Sequence, residues 1–309
     1  MSKLKFTVNG NHFTNEGGLA AMVPFAKKAD ALGYDYLRLL DHVVGYVAAK
    51  HPEIEETPYT HESEFLEVFT LMAYLAAQTE RLGFITGVLG LPQRQTALVA
   101  KQAAQVDIMC RGKLILGVGI GYNSVEFEAM GADFKTRAPR VEEQIDILRA
   151  LWTQPEVTVE GRWHVMHDVN VNPLPKQRPI PIFMGAGRTA APVPPPKVLE
   201  RVGKYADGFM PLFQINRDTG RLEDDAIAAL ETVRAVMRDN GRDPATLQLE
   251  LGLYPDGKSE DQVMAEIDYL RSVGVTHVHA RFPNKPLAAQ LDYIEGFAQV
   301  RDAYVAAHG

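Results

Sequence analysis

Residues 82–118 read LGFITGVLGLPQRQTALVAKQAAQVDIMCRGKLILGV, and this stretch decides the fold. Two short apolar runs, Leu82–Thr86 and Leu114–Val118, enclose a helical period over Ala97–Met109. Strand, helix, strand in that order makes a parallel unit, because two parallel strands need a crossover. The pattern repeats outward in both directions. Strands are expected at Leu4–Val8, Tyr36–Leu40, Ile180–Met184, Gly208–Leu212, Leu247–Gly252 and Thr276–Ala280. Helices are expected at Leu19–Leu32, Glu64–Gln78, Arg140–Trp152, Pro196–Tyr205, Asp224–Asn240, Glu260–Val273 and Ala288–Ala307. Gly33, Gly241 and Gly274 sit where left-handed helix ends fall, and Ser259 opens a helix with Gln262 in its first turn. Most strand runs are apolar on both faces, as expected for strands covered on both sides. Eight such repeats in 309 residues point to a closed (β/α)8 barrel spanning 1–309. An open dinucleotide-binding sheet would want a glycine-rich loop after strand one, and Asn9-Gly10-Asn11-His12-Phe13 stands there.

Composition narrows the class. Apolar residues make 46% of the chain and charged residues 23%, which excludes a disordered, collagenous or coiled-coil protein. A net charge of −7 excludes a nucleic-acid-binding body, which needs a basic stripe. No apolar run approaches the roughly 20 residues that span a bilayer. The start, MSKLKFTVNG, shows no secretory signal, and the one cysteine, Cys110, suits a reducing cytoplasm. A soluble cytoplasmic enzyme acting on a small molecule is expected. Three segments exceed ordinary connections: 45–61, 155–179 with a hairpin of Val157–Val159 and Arg162–Val165, and 185–196 with four prolines. Long loops of this kind are usually lids or binding loops.

Barrel enzymes carry their chemistry at the strand C-termini. There Asp41-His42 pairs a hydrogen-bond acceptor with a titratable imidazole. The alternative is a capping Asp beside a half-exposed His. Glycines at 117, 119 and 121 permit close approach of a flat ligand or of another strand, and the residues alone do not choose. Gly185-Ala186-Gly187-Arg188 reads equally as an anion-binding turn or as a plain turn before the prolines. His277-x-His279 puts two imidazoles on one strand face, with no Asp to complete a metal site, so packed or rim histidines are expected.

The block from Arg81 to Gln102, the run Gly112 to Gly131, Asp41-His42-Val43, Arg137–Trp152, Arg178–Gly185 and Ala206-Asp207-Gly208 together resemble the luciferase-like monooxygenase superfamily, and within it the F420-dependent oxidoreductases. The resemblance covers essentially the whole chain. It implies a flavin or deazaflavin at the strand C-termini, with Asp41 and His42 near the ring. It implies a bulge at Thr86-Gly87-Val88 with a non-proline cis peptide at Gly87–Val88, glycines at 119 and 121 beside the ring, and Asn9 or Asn11 near it. Gly185-Ala186-Gly187 would then meet the phosphate, with Arg188, Lys197, Arg94 and Lys101 as nearby cations. Catalysis would fall to His42, with Asp41 beside it. The sugar-phosphate dehydrogenases of the group carry a glutamate where Tyr122 stands, and lack of it argues against that substrate while leaving Tyr122 as the next candidate. Coenzyme F420 is the expected cofactor and hydride transfer the expected reaction. FMN with a monooxygenase reaction is the alternative, and a non-catalytic flavin-binding barrel the second. A homodimer is implied as well.

Overall fold

All eight strand runs pair side by side and in parallel. The computed structural model describes residues 4–10, 18–54, 59–283 and 285–308. Its barrel strands are β1 (Lys5–Asn9), β2 (Tyr36–Leu39), β3 (Gly83–Thr86), β5 (Leu114–Gly119), β8 (Ile182–Ala186), β9 (Gly208–Pro211), β10 (Gln248–Leu253) and β11 (His277–Ala280). β1 pairs with both β2 and β11, and β3 pairs with β5, so the sheet closes on itself. Two residues beyond β3, β4 (Leu89–Gly90) rejoins β5. Ile85 faces Ile115 while Leu89 faces Val118, so four steps on one strand oppose three on the other. One extra residue is therefore bulged out at Gly87–Val88, which re-aims the chain at the barrel mouth.

Helices α1 (Gly18–Ala31), α2 (Val68–Ala76), α3 (Thr96–Met109), α5 (Arg137–Thr153), α6 (Pro196–Tyr205), α7 (Asp224–Asp239), α8 (Glu260–Ser272) and α9 (Leu287–His308) coat the outside. Alternate strand residues such as Phe6, Val8, Leu37, Leu39 and Phe84 face them and are buried. The other residues of each strand fill the barrel, where Ile85, Ile115, Phe183 and Met210 form an inner plug. Burial of each such side chain stabilises the fold by roughly 1.5–3 kcal/mol.

Local chemistry explains where elements start and stop. Gly33, Gly241 and Gly274 take positive φ values of 78°, 68° and 94° at helix ends, as expected. Ser259 and Gln262 form a reciprocal capping box on α8. The expected helix at 64 begins only at Val68, because the Glu67 carboxylate caps it by accepting from the Thr70 amide at 2.8 Å. α5 begins three residues before the expected Arg140, since Pro139 is tolerated in a first turn. The six-residue α4 (Ser124–Ala129) went unread; Asn123 caps it through the Val125 and Glu126 amides.

The hairpin exists as β6 (Val157–Glu160) and β7 (Val165–Val169), with its second strand shifted from 162–165. Glu143 causes the shift, accepting the amides of Arg162 and Trp163 and lying 2.6 Å from His164 Nδ1. His164 Nε2 in turn lies 2.6 Å from the Thr96 hydroxyl at the start of α3. The 155–179 insertion is thus pinned to the outer helices and is not a lid. In the 45–61 segment the His61 amide donates to the Tyr46 carbonyl at 3.0 Å, folding the loop back; residues 55–58 lie outside the described set.

Candidate active site

The mouth of the barrel has two unlike halves. On the β3, β5 and β8 side stands the bulge, where the Gly87–Val88 peptide is cis, as the resemblance implied. The Val88 side chain occupies the space that side chains at 119 and 185 would need. A Cβ on Gly119 would lie 2.8 Å from Val88 Cγ2, and one on Gly185 2.6 Å from Cγ1. A Cβ on Gly117 would lie 2.0 Å from the Thr86 carbonyl oxygen. The alternating glycines of β5 therefore receive the bulge itself. Thr86 is fully buried, and its hydroxyl donates to the Gly117 carbonyl at 2.7 Å, so it braces the bulge from behind. Gly121 has φ +76° and faces the Phe127 ring, a left-handed turn into α4.

Asp41 and His42 both lie at the rim, held by different partners. Asp41 Oδ1 receives a 2.6 Å bond from Arg94, whose other nitrogen lies 3.5 Å from Glu67. Burial pushes the Asp41 carboxyl above its ordinary range, opposed by Arg94. Its Oδ2 is buried without a hydrogen bond. Arg94 is thus a buried counter-ion rather than a cation lining the mouth. Lys101 likewise donates to the Asn172 carbonyl beside the hairpin. His42 presents Nδ1 to Glu126 Oε2 at 3.3 Å, while Glu126 also accepts the Val43 amide. Around the imidazole stand Phe65, Tyr59 and Tyr122, with ring centroids at 4.7, 5.6 and 5.9 Å. Tyr122 is an exposed wall of this aromatic cage. Burial raises the Tyr59 phenol, opposed by Arg38, so Tyr59 keeps its proton at neutral pH.

The turn after β8 closes on itself. The Arg188 amide donates to the Ala191 carbonyl, and the Ala191 amide returns the bond, both at 3.0 Å. Gly187 adopts φ +104°, and its absent side chain leaves room for the Pro192 carbonyl. Ala186 accepts from the Leu212 amide at 3.1 Å. The Arg188 amide is thereby taken from the anion-binding cradle read in the sequence.

The opposite half, on β2, β1, β11 and β10, is polar and charged. Arg38, Glu250, His277 and His279 are held inside the barrel among Thr7 and Asn9. Glu250 lies 3.9 Å from Arg38 and 3.4 Å from His279 Nδ1. Although burial opposes it, Arg38 and His279 bring the Glu250 carboxyl down to about 2. Burial brings His277 and His279 down to about 4 against the pull of Glu250, so both are neutral at pH 7. Among the described residues no group of three or more His, Cys, Asp or Glu is placed to hold a metal. The buried Cys110 thiol is pushed up to about 12 by desolvation and has no part in the mouth. No helix among the described residues is long and apolar enough to cross a membrane.

The family model described as luciferase-like monooxygenase matches residues 3–304. The chain belongs to that family. Among curated relatives of this luciferase-like protein, an uncharacterized protein of Mycobacterium tuberculosis is 35% identical over 196 residues, 61% of this chain and 64% of that one. An F420-dependent glucose-6-phosphate dehydrogenase of Intrasporangium calvum is 30% identical over 202 residues, 62% of this chain and 54% of that one. The matched region thus spans less than two thirds of either relative. Among solved structures, an F420-dependent secondary alcohol dehydrogenase in complex with an F420-acetone adduct superposes with a TM-score of 0.73 at 14% identity, covering 97% of this chain and 98% of the other. The monooxygenase RslO1 of Streptomyces bottropensis superposes at 0.72 with 20% identity, covering 96% and 98%. These two likenesses show the fold.

Sequence reasoning brought Asp41, His42, Asn9, Gly87, Val88 and the β8 turn to one rim, and the luciferase-like barrel places them there. Asn11 lies outside the described residues. Five residues were missed: Glu126, Tyr59, Phe65, Arg38 and Glu250. Glu126 carried a faint signal, a carboxylate three residues past a capping Asn. The buried charges carried another, since Arg and Glu rarely enter apolar strand runs without a partner.

Proposed function

We propose that this luciferase-like barrel is an oxidoreductase that exchanges hydride between coenzyme F420 and an organic substrate, with the cofactor ring on the Val88 face of the mouth. The observation that carries the reading is the pair of buried, unbonded acceptors at the strand ends, Asn9 Oδ1 and Asp41 Oδ2. A buried acceptor without a donor costs about 1–3 kcal/mol, and the pyrimidine edge of a deazaflavin offers the N–H such acceptors lack. Asn9, Asp41, Gly87 and Val88 would hold the ring, with Gly185–Arg188 near the phosphate end. F420, when bound, supplies a ring carbon that accepts or donates hydride.

The protein's own part is to orient and to move a proton. With Glu126 accepting at Nδ1, the His42 proton sits on Nδ1 and Nε2 is left as the acceptor. Nε2 takes up the proton of a substrate hydroxyl, or returns it in the reverse direction. Phe65 and Tyr59 exclude water from that exchange. The F420 dependence named for several relatives supports this cofactor. FMN with a monooxygenase reaction is the competing reading, supported by neighbours such as the EDTA monooxygenase of Chelativorans. Fluorescence titration of the purified protein with F420 and with FMN separates the two, and binding of neither removes both.

A cytoplasmic homodimer belongs to the same proposal, with 1–309 acting as one barrel unit. Tyr74 on α2 and Leu98 and Met109 on α3 expose large apolar side chains. Sedimentation of the purified protein tests the dimer.

A further inference from the structure

Arg281, just past β11, is held more elaborately than an ordinary rim cation. Its Nε donates to His279 Nε2 at 3.0 Å, which fixes the histidine proton on Nδ1, facing Glu250 Oε1 at 3.4 Å. Its Nη1 reaches the Tyr254 hydroxyl at 3.0 Å, and its guanidinium lies over the Tyr254 ring. Room for the arrangement comes from Gly252 on β10. A Cβ there would stand 2.4 Å from His279 Nε2 and 2.5 Å from Arg281 Nε. A carboxylate, an imidazole and a guanidinium thus form a line from the barrel interior outward, ending in a cation whose Nη2 makes no hydrogen bond among the described residues.

The charges around it give this cation a direction. Arg38 and Arg281 together exceed Glu250 by one positive charge, because His279 is neutral at pH 7. Past the end of β2, Asp41, Glu67 and Glu126 outnumber Arg94. Positive charge is therefore gathered around Glu250, and negative charge past the end of β2, within a chain of net charge −7. Arg38 adds to the imbalance, with a buried Nε that has no partner and a Glu250 contact too long for a hydrogen bond. An anionic group entering the mouth would be turned toward Arg281 and away from Glu126, leaving the other end of the molecule beside His42.

We infer that Arg281 is the specificity-determining residue of the site and that the substrate carries a carboxylate, gripped by the outer Nη1–Nη2 edge of this guanidinium. A planar fork of two N–H groups matches a carboxylate's two oxygens. Glu250, His279 and Gly252 are positioning residues for that fork. The inference rests on the proposed hydride transfer only for the word substrate; the anion site itself stands without it.

The shared chemistry could also be met by the glutamate tail of F420, so the test has two arms. In the first, isothermal titration of the cofactor-free protein uses acetate, succinate and benzoate, with benzamide as the uncharged counterpart of benzoate. At least one carboxylate is expected to bind wild type, while benzamide does not. Arg281→Met should weaken that binding at least tenfold, Arg281→Lys should restore part of it, and Arg162→Met on the hairpin should leave it unchanged. Gly252→Ala, which displaces the guanidinium without removing its charge, should weaken it as Arg281→Met does. Circular dichroism confirms that each variant is folded. In the second arm, F420 and the tail-less deazaflavin riboside are titrated into wild type and Arg281→Met, and both affinities should stay within twofold. Carboxylate binding that is absent, or indifferent to Arg281, overturns the inference. So does a loss confined to F420, which would assign the cation to the cofactor tail. Failure of F420 to bind wild type at all would strike the proposed function and leave the first arm readable.

Discussion

Val88 stands where a side chain on Gly185 would be, its Cγ1 2.6 Å from the position of that missing Cβ. The glycine of β8 is therefore fixed by the bulge after β3, two strands away around the barrel, and the surface offered to a ring depends on both. Gly185→Ala should push Val88 out of its seat. Overpacking of this kind costs about 1–3 kcal/mol, and cofactor affinity should fall with it. The double variant Val88→Ala/Gly185→Ala should regain most of the stability. Thermal unfolding of the single and double variants checks this; additive losses would mean that the two sites are independent.

The Asp41–Arg94 pair gives a second expectation. Removing one partner of a buried pair leaves an uncompensated charge, at about 3–5 kcal/mol. Arg94→Met should therefore cost far more stability than the double variant Asp41→Asn/Arg94→Met. Denaturant unfolding of wild type, both singles and the double closes the cycle, and a coupling near zero would contradict the buried contact.

His42 is expected to carry the proton. His42→Phe keeps an aromatic ring against Phe65 and Tyr59, so cofactor affinity should change little while hydride transfer falls by roughly two to four orders of magnitude. Glu126→Gln should lower the rate less, because the imidazole remains and only its orienting partner is weakened. Single-turnover absorbance at the cofactor band reads both; equal rates in wild type and His42→Phe would pass the role to Tyr122.

Stability should fall in acid for a reason seated inside the barrel. His277 and His279 are held near 4 in the folded chain, below the ordinary value of 6.5, mainly by burial. Between those values the unfolded chain binds protons that the folded one refuses, so stability is full above about 6.5 and declines toward 4. Glu250, held near 2, adds a further loss below its ordinary 4.5. The combined effect is on the order of a few kcal/mol. His277→Phe, whose ring would sit against Tyr36 and Phe183, should flatten the decline between pH 6.5 and 4. An unchanged slope would show that other groups dominate.

The barrel was legible because each strand run is short, β-rich and separated by one helical period, and every expected strand lies within two residues of an observed one. Asp41 and His42 were legible because strand C-termini are where barrels place chemistry. Glycines 117, 119 and 185 were visible but left open, since a glycine that admits a ligand and one that admits a neighbouring valine look alike in sequence. Arg94 and Lys101 were misplaced for a related reason: a cation's partner depends on contacts 53 and 71 residues away, to Asp41 and Asn172. Arg38 and Glu250 went unread because their meaning lies in four adjacent strands meeting inside one barrel.

The proposed function requires the Val88 face and its acceptors, Asn9 and Asp41, to seat a deazaflavin. Fluorescence titration of the wild-type protein with F420 and FMN under identical conditions, repeated with Asp41→Ala, measures that seating. F420 should bind more tightly than FMN, and Asp41→Ala should weaken F420 by about 1–3 kcal/mol, or roughly five- to 150-fold. FMN binding more tightly than F420, or F420 binding indifferent to Asp41, would contradict it.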